Sequence, residues 1–229
     1  MGETVEFASN GSTAGGYLAL PPGGSGPGVI VIQEWWGLNP QIKATADRLA
    51  GAGFVALAPD LYHGELAGHD EMDKAGHLMS SLPADRAARD MSGAVDYLVG
   101  HAASTGEGIG VVGFCMGGML SFLLAANRPD RIRAAAPFYG FPQGDTAPDW
   151  SQITAAVRGY MADPDDYFPP AAAREIEAAL KAAGRDATIE ICAAGHGFMN
   201  EENPMGAYDR ALAERIWPEL VAFFHAELG

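Results

Sequence analysis

Gly110-Val111-Val112-Gly113-Phe114-Cys115-Met116-Gly117-Gly118-Met119-Leu120 is the stretch on which the fold turns. The apolar run Ile109, Val111, Val112 predicts a buried strand, and Met119, Leu120, Phe122, Leu123 and Leu124 predict a buried helix behind it. Between them stands Gly-x-Cys-x-Gly-Gly, a nucleophile-elbow pattern with cysteine in the usual place of serine. Such a turn strains the central residue and crowds its neighbours, which accounts for Gly113 and Gly117 on either side. It also sets the sulfur at a helix N-terminus, where unpaired N–H groups favour thiolate. The competing reading is a buried cysteine in a glycine-rich turn, and the rest of the chain decides between them.

On both sides of this stretch, strands alternate with helices. Thr4–Ser9 and Gly15–Leu20 predict an opening hairpin. Gly28–Ile32 is a β-branched run of the kind covered on both faces. Helical spacing follows over Gln41–Ala52, a strand over Phe54–Ala58, and a polar excursion over His63–Leu82 with poor periodicity. A helix over Pro83–His101 leads back to the organising strand. Beyond the elbow come a strand over Ile132–Phe138, a loop over Phe141–Ser151 and a strand over Ile153–Met161. The chain closes with a helix over Ala171–Ala183, a strand over Thr188–Cys192 and a helix over Ala207–Leu228, bent or restarted at Pro218. The alternation implies a mostly parallel sheet with helices on both faces, and one α/β domain over residues 1–229.

Composition narrows the classes. Of the 229 residues, 48% are hydrophobic and 19% charged, which is globular. Fourteen Lys+Arg against 29 Asp+Glu give a net charge of −15, which disfavours nucleic acid and anionic membranes as partners. Two cysteines make no disulfide framework and fit a reducing compartment. The N-terminus lacks a basic segment and an apolar core, and no run approaches the roughly 18 apolar residues of a membrane span, so a cytoplasmic location is expected. A monomer is expected, with a dimer as the alternative.

In a parallel sheet, reactive groups gather at the carboxyl ends of the strands. Four post-strand loops qualify: they carry Glu34, Cys115, the cluster Asp163/Asp165/Asp166, and His196. The order nucleophile, acid, histidine is that of a hydrolase triad. An imidazole takes the thiol's proton and returns it to the leaving group, while a carboxylate fixes the tautomer. Gly195 and Gly197 would let the histidine loop approach closely. Cys192 reads as core, and Trp35 and Trp36 read as pocket wall or core.

The chain resembles the dienelactone hydrolase family of α/β-hydrolases (carboxymethylenebutenolidase-like). The resemblance rests on Val29–Glu34 with Gly37 and Asn39, Pro59-Asp60-Leu61-Tyr62, Gly113–Gly118, Asp165 with Pro169, and Ala194-Gly195-His196 with Phe198. It implies a carboxylic ester hydrolase that cleaves a small ester or lactone through a thioester acyl-enzyme. Cys115 would be the nucleophile, His196 the base and Asp165 its carboxylate, selected by the register of Met161 and Pro169. Glu34 would stand against the resting thiol, and the N–H groups of Trp35 and Met116 would form the oxyanion hole. Trp36, Tyr62, Phe198 and Asn200 would contact substrate. Where dienelactone-cleaving members carry a carboxylate-binding arginine, this chain has Asn200, and the excursion holds only Lys74 where a second arginine is expected. A neutral amide lacks the grip of a guanidinium, so an anionic dienelactone is expected to be a poor substrate.

Other classes are weaker. His63, His69 and His77 lie among acidic residues but in no helix-face ligand spacing, so no metal is expected, and no cofactor. Cys115 and Cys192 form no Cys-x-x-Cys. Gly108-Ile109-Gly110 is placed before the strand, outside a dinucleotide-binding context. A non-catalytic small-molecule-binding module on the same fold remains the alternative function.

Overall fold

The computed structural model describes residues 2–229. Its eight-stranded sheet runs β1-β2-β4-β3-β5-β6-β7-β8. The strands are β1 (Glu3–Ser9), β2 (Ser12–Ala19), β3 (Gly26–Ile32), β4 (Val55–Pro59), β5 (Ser104–Phe114), β6 (Ile132–Phe138), β7 (Ala156–Ala162) and β8 (Ala187–Cys192). β1 pairs antiparallel with β2, and β2 with β4; every other pairing is parallel. The helices are α1 (Pro40–Gly51), α2 (Met72–Ser80), α3 (Ala84–Gly100), α4 (Met116–Asn127), α5 (Pro170–Ala182) and α6 (Arg210–Leu228).

The period-two pleat sorts β3 between two cores. Ile30 and Ile32 belong to the core that includes Leu98 of α3, Phe122 of α4 and Leu180 of α5, whereas Val29 and Val31 belong to the core that includes Leu49 of α1 and Phe224 of α6. The continuous apolar run of β3 is thus a strand covered on both faces, with all four side chains fully buried. At the entry to α1, Asn39 Oδ1 accepts the Ile42 N–H at 3.0 Å and Pro40 starts the helix.

Three sequence readings are corrected. The excursion contains α2, which buries only Ala75 and Leu78 and has no side-chain cap, too little apolar periodicity to announce a helix. β5 begins at Ser104, so Gly108-Ile109-Gly110 lies inside the strand; its polar start pairs with Gly26 and Pro27 at the lip of β3. α6 passes through Pro218 as one helix, which rules out the restarted half of the bent-or-restarted expectation, and it is capped by Asp209 Oδ1 on the Leu212 N–H at 3.0 Å. Among the described residues no helix is long and apolar enough to cross a membrane.

Candidate active site

The carboxyl ends of β3, β5, β7 and β8 release the loops that bear Glu34, Cys115, Asp165 and His196. Cys115 sits at φ 55°, ψ −116°, a strained conformation for a residue with a Cβ. The surrounding backbone enforces it. A Cβ on Gly113 would lie 2.0 Å from the Gly117 carbonyl oxygen, and one on Gly117 would lie 2.4 Å from that of Ile32. Strand, turn and helix therefore meet at contact distances that only hydrogen permits at those two positions.

Around the thiol, electrostatic influences oppose each other. Burial, the Glu34 carboxylate and, more weakly, Asp165 push the Cys115 thiol far up from its ordinary value, while the N–H groups of Met116 and Trp35 act the other way. Burial and the neighbouring carboxylate thus both favour the neutral thiol over the thiolate. Glu34 is itself buried, which raises its carboxyl against the opposing hydrogen bonds. Asn200 Nδ2 donates to Glu34 Oε2 at 2.7 Å, and the Tyr139 hydroxyl donates to Oε1 at 3.3 Å. Tyr139 takes a positive φ of 34° and sets its ring edge against His196. Neither role was visible in sequence, because Tyr139 falls at the end of an apolar strand and reads as core.

His196 Nδ1 lies 2.8 Å from Asp165 Oδ2. The other oxygen, Oδ1, accepts the N–H groups of Tyr167 at 2.8 Å and Phe168 at 3.1 Å, so the carboxylate is fixed in place. The imidazole stacks on Phe168, with ring centroids 5.8 Å apart, and meets the edge of Tyr167. A carboxylate beyond Nδ1 leaves Nε2 to exchange protons.

Cys115, His196, Glu34, Trp35 and Met116 all border one cavity of about 450 Å³. Trp36 and Asn200, two of the residues expected to contact substrate, border it too. Tyr62 and Phe198 do not, and here the expectation is corrected. Tyr62 is buried behind the wall with its hydroxyl 3.4 Å from Met116 Sδ. Phe198 is fully buried against Phe138 and Tyr139. Both are apolar bodies that support the wall rather than form it. Met79 of α2, Met119 of α4 and Met205 complete much of the lining.

The excursion histidines go to separate partners. His63 Nε2 lies 2.8 Å from Asp90 Oδ2, and His69 Nδ1 lies 3.0 Å from Glu202 Oε2. Among the described residues, no three or more His, Cys, Asp or Glu side chains converge as a metal centre. Cys192 is buried, and burial together with Glu190 pushes its thiol up to about 12.

An elbow on the central strand of this sheet, with post-strand acid and histidine loops, defines the α/β-hydrolase class. The sequence profile of the dienelactone hydrolase family matches residues 14–228, and the chain belongs to that family of hydrolases. It is 38% identical over 231 residues to "Protein usf" of Aquifex pyrophilus, with 98% of each chain covered. It is 34% identical over 235 residues to the "Putative carboxymethylenebutenolidase" of Aquifex aeolicus, with 100% of each covered. Its structure is similar to that of the "Putative Dienelactone Hydrolase" of Klebsiella pneumoniae, with a TM-score of 0.82, 26% identity, and 98% and 99% of the two chains covered.

Proposed function

We propose that this hydrolase cleaves small esters or lactones with Cys115 as nucleophile, His196 as acid and base, and Asp165 as the carboxylate that holds the imidazole. The observation that carries the reading is the shared cavity, bordered by the elbow sulfur and by an imidazole whose far nitrogen lies 2.8 Å from a fixed carboxylate. Substrate binding displaces water from the cavity, and the thiol passes its proton to His196 Nε2. The thiolate sulfur attacks the carbonyl carbon, and the oxyanion so formed is received by the N–H groups of Trp35 and Met116. Losing one such donor typically costs about 2.7–4 kcal/mol of barrier. The intermediate collapses with cleavage of the carbon–oxygen bond, and the imidazolium protonates the departing alkoxide. Water, giving its proton to His196, then attacks the thioester; the carbon–sulfur bond breaks, the imidazolium returns the proton to the departing thiolate, and the acid product leaves.

Glu34 modulates the nucleophile, since a carboxylate charge beside the sulfur disfavours the thiolate. Rapid quench with an activated ester, followed by mass spectrometry, is expected to find the acyl group on Cys115. Cys115→Ala and His196→Ala should each lower turnover by at least about a thousandfold. Turnover that persists in both variants would refute the assignment and favour the binding-module alternative.

A further inference from the structure

Every polar group on the cavity wall that carries a formal charge near its floor or rim carries a negative one. Glu34 lies at the floor and Asp166 at the rim; among the described residues, no lysine or arginine borders the space. Asn200, a neutral residue on the cavity wall, donates to Glu34 at 2.7 Å and accepts the Glu202 N–H on its carbonyl oxygen at 3.1 Å. One of its two amide N–H bonds is thereby used on Glu34, and the side chain carries no charge to set against a ligand carboxylate. Apart from Gln143, most of the remaining lining is apolar: Met79, Met116, Met119, Met205 and Trp35 border the same cavity as the sulfur. Thioether side chains adapt to irregular apolar shapes at little cost. The whole chain adds to this bias, because its net charge of −15 repels an anion before it reaches the mouth.

We infer that this site takes a neutral, apolar acyl group, so that its substrates are alkyl-chain esters or lactones without a charged tail. The inference rests on the Cys115 hydrolase reading and adds the substrate class to it. Glu34 acts beside the reacting sulfur, where the acyl carbonyl rather than the end of its tail must sit, and Asp166 is exposed to water, so neither supplies a buried counter-ion for a cationic tail. Apolar burial is what the methionine wall has to offer. Full burial is worth about fourfold in binding for each added methylene.

The test holds the leaving group constant. Nitrophenyl acetate, butyrate and hexanoate are compared with the adipate monoester, which has the hexanoyl chain ending in carboxylate, and with an ester bearing a trimethylammonium tail. kcat/KM is expected to climb from acetate to hexanoate by up to about fourfold per methylene. The adipate monoester should fall at least about tenfold below hexanoate, and the gap should shrink as sodium chloride screens the chain's charge. Met79→Arg, on an exposed helical position at the cavity, should raise the adipate rate at least about tenfold relative to hexanoate. Parity or preference for either charged tail overturns the inference while leaving the hydrolase reading intact. Hydrolysis of none of these esters, or equal hydrolysis by Cys115→Ala, overturns the hydrolase reading and the inference with it.

Discussion

Glu34 and Cys115 pose the sharpest question at the scale of single residues. A carboxylate beside a nucleophilic thiol raises the thiol's proton affinity, the opposite of what attack requires. Removing the charge should therefore expose the nucleophile. Glu34→Gln is expected to shift the pH midpoint of Cys115 alkylation by iodoacetamide to lower values, and to speed alkylation several-fold at pH 8. The sign follows from the carboxyl's own titration. Its pKa is raised by burial, so the two proteins should differ most above that elevated value, where the native carboxylate is ionised, and converge below it. An unchanged midpoint would mean that burial alone sets the thiol's state. Cys115, His196 and Glu34 were legible as candidates because elbow, histidine loop and post-strand acid are local patterns. Asp165 was not separable from Asp163 and Asp166 by spacing alone; in the fold, only its carboxylate bridges the His196 ring and two backbone N–H groups. Asn200 reads in sequence as a missing cation, and in three dimensions as a buried hydrogen-bond partner of Glu34.

Among the elements, β3, the second half of β5 and α4 were legible for one physical reason: each is so largely buried that its apolar character is continuous, whereas the polar, exposed start of β5 was not. α2 escaped notice because it lies on the surface with a two-residue buried stripe, and it matters because it delivers Met79 to the cavity. The elbow between β5 and α4 is the most constrained junction. Gly117→Ala would drive a methyl to 2.4 Å from the Ile32 carbonyl oxygen, which belongs to the neighbouring strand and cannot move without opening the sheet. Overpacking of this kind costs about 1–3 kcal/mol where neighbours are flexible, and more where they are backbone. Urea denaturation should show a lower midpoint at unchanged slope, together with a large loss of activity. A variant of native stability and rate would show that the junction is looser than its contacts imply. Gly51, whose Cβ would meet nothing within 4 Å, provides the control: Gly51→Ala should leave activity unaltered.

For the whole molecule, charge imbalance competes with local ion pairs, and salt separates the two. Twenty-nine acidic side chains against 14 basic ones leave a net −15 whose self-repulsion opposes compaction. Several cations are already engaged: Arg215 joins Glu190 and Glu219, and Arg128 joins Asp96 and Asp130. The carboxylates of these pairs face solvent, and exposed pairs are typically worth about 0–1 kcal/mol each before screening. Sodium chloride weakens attraction and repulsion alike, shortening the screening length from about 30 Å at 0.01 M to about 10 Å at 0.1 M. The pairs act at contact and lose little over that range, whereas repulsion among dispersed carboxylates acts at longer distances and loses more. Thermal unfolding should therefore shift upward by several degrees as sodium chloride rises from 0.01 to 0.1 M, since about 1 kcal/mol corresponds to about 2–4 °C for a chain of this length. Chloride is preferred to sulfate here because sulfate strengthens apolar burial by exclusion and would mimic the effect. A midpoint that falls with salt would show that contact pairs, rather than net repulsion, dominate the molecule's electrostatic balance.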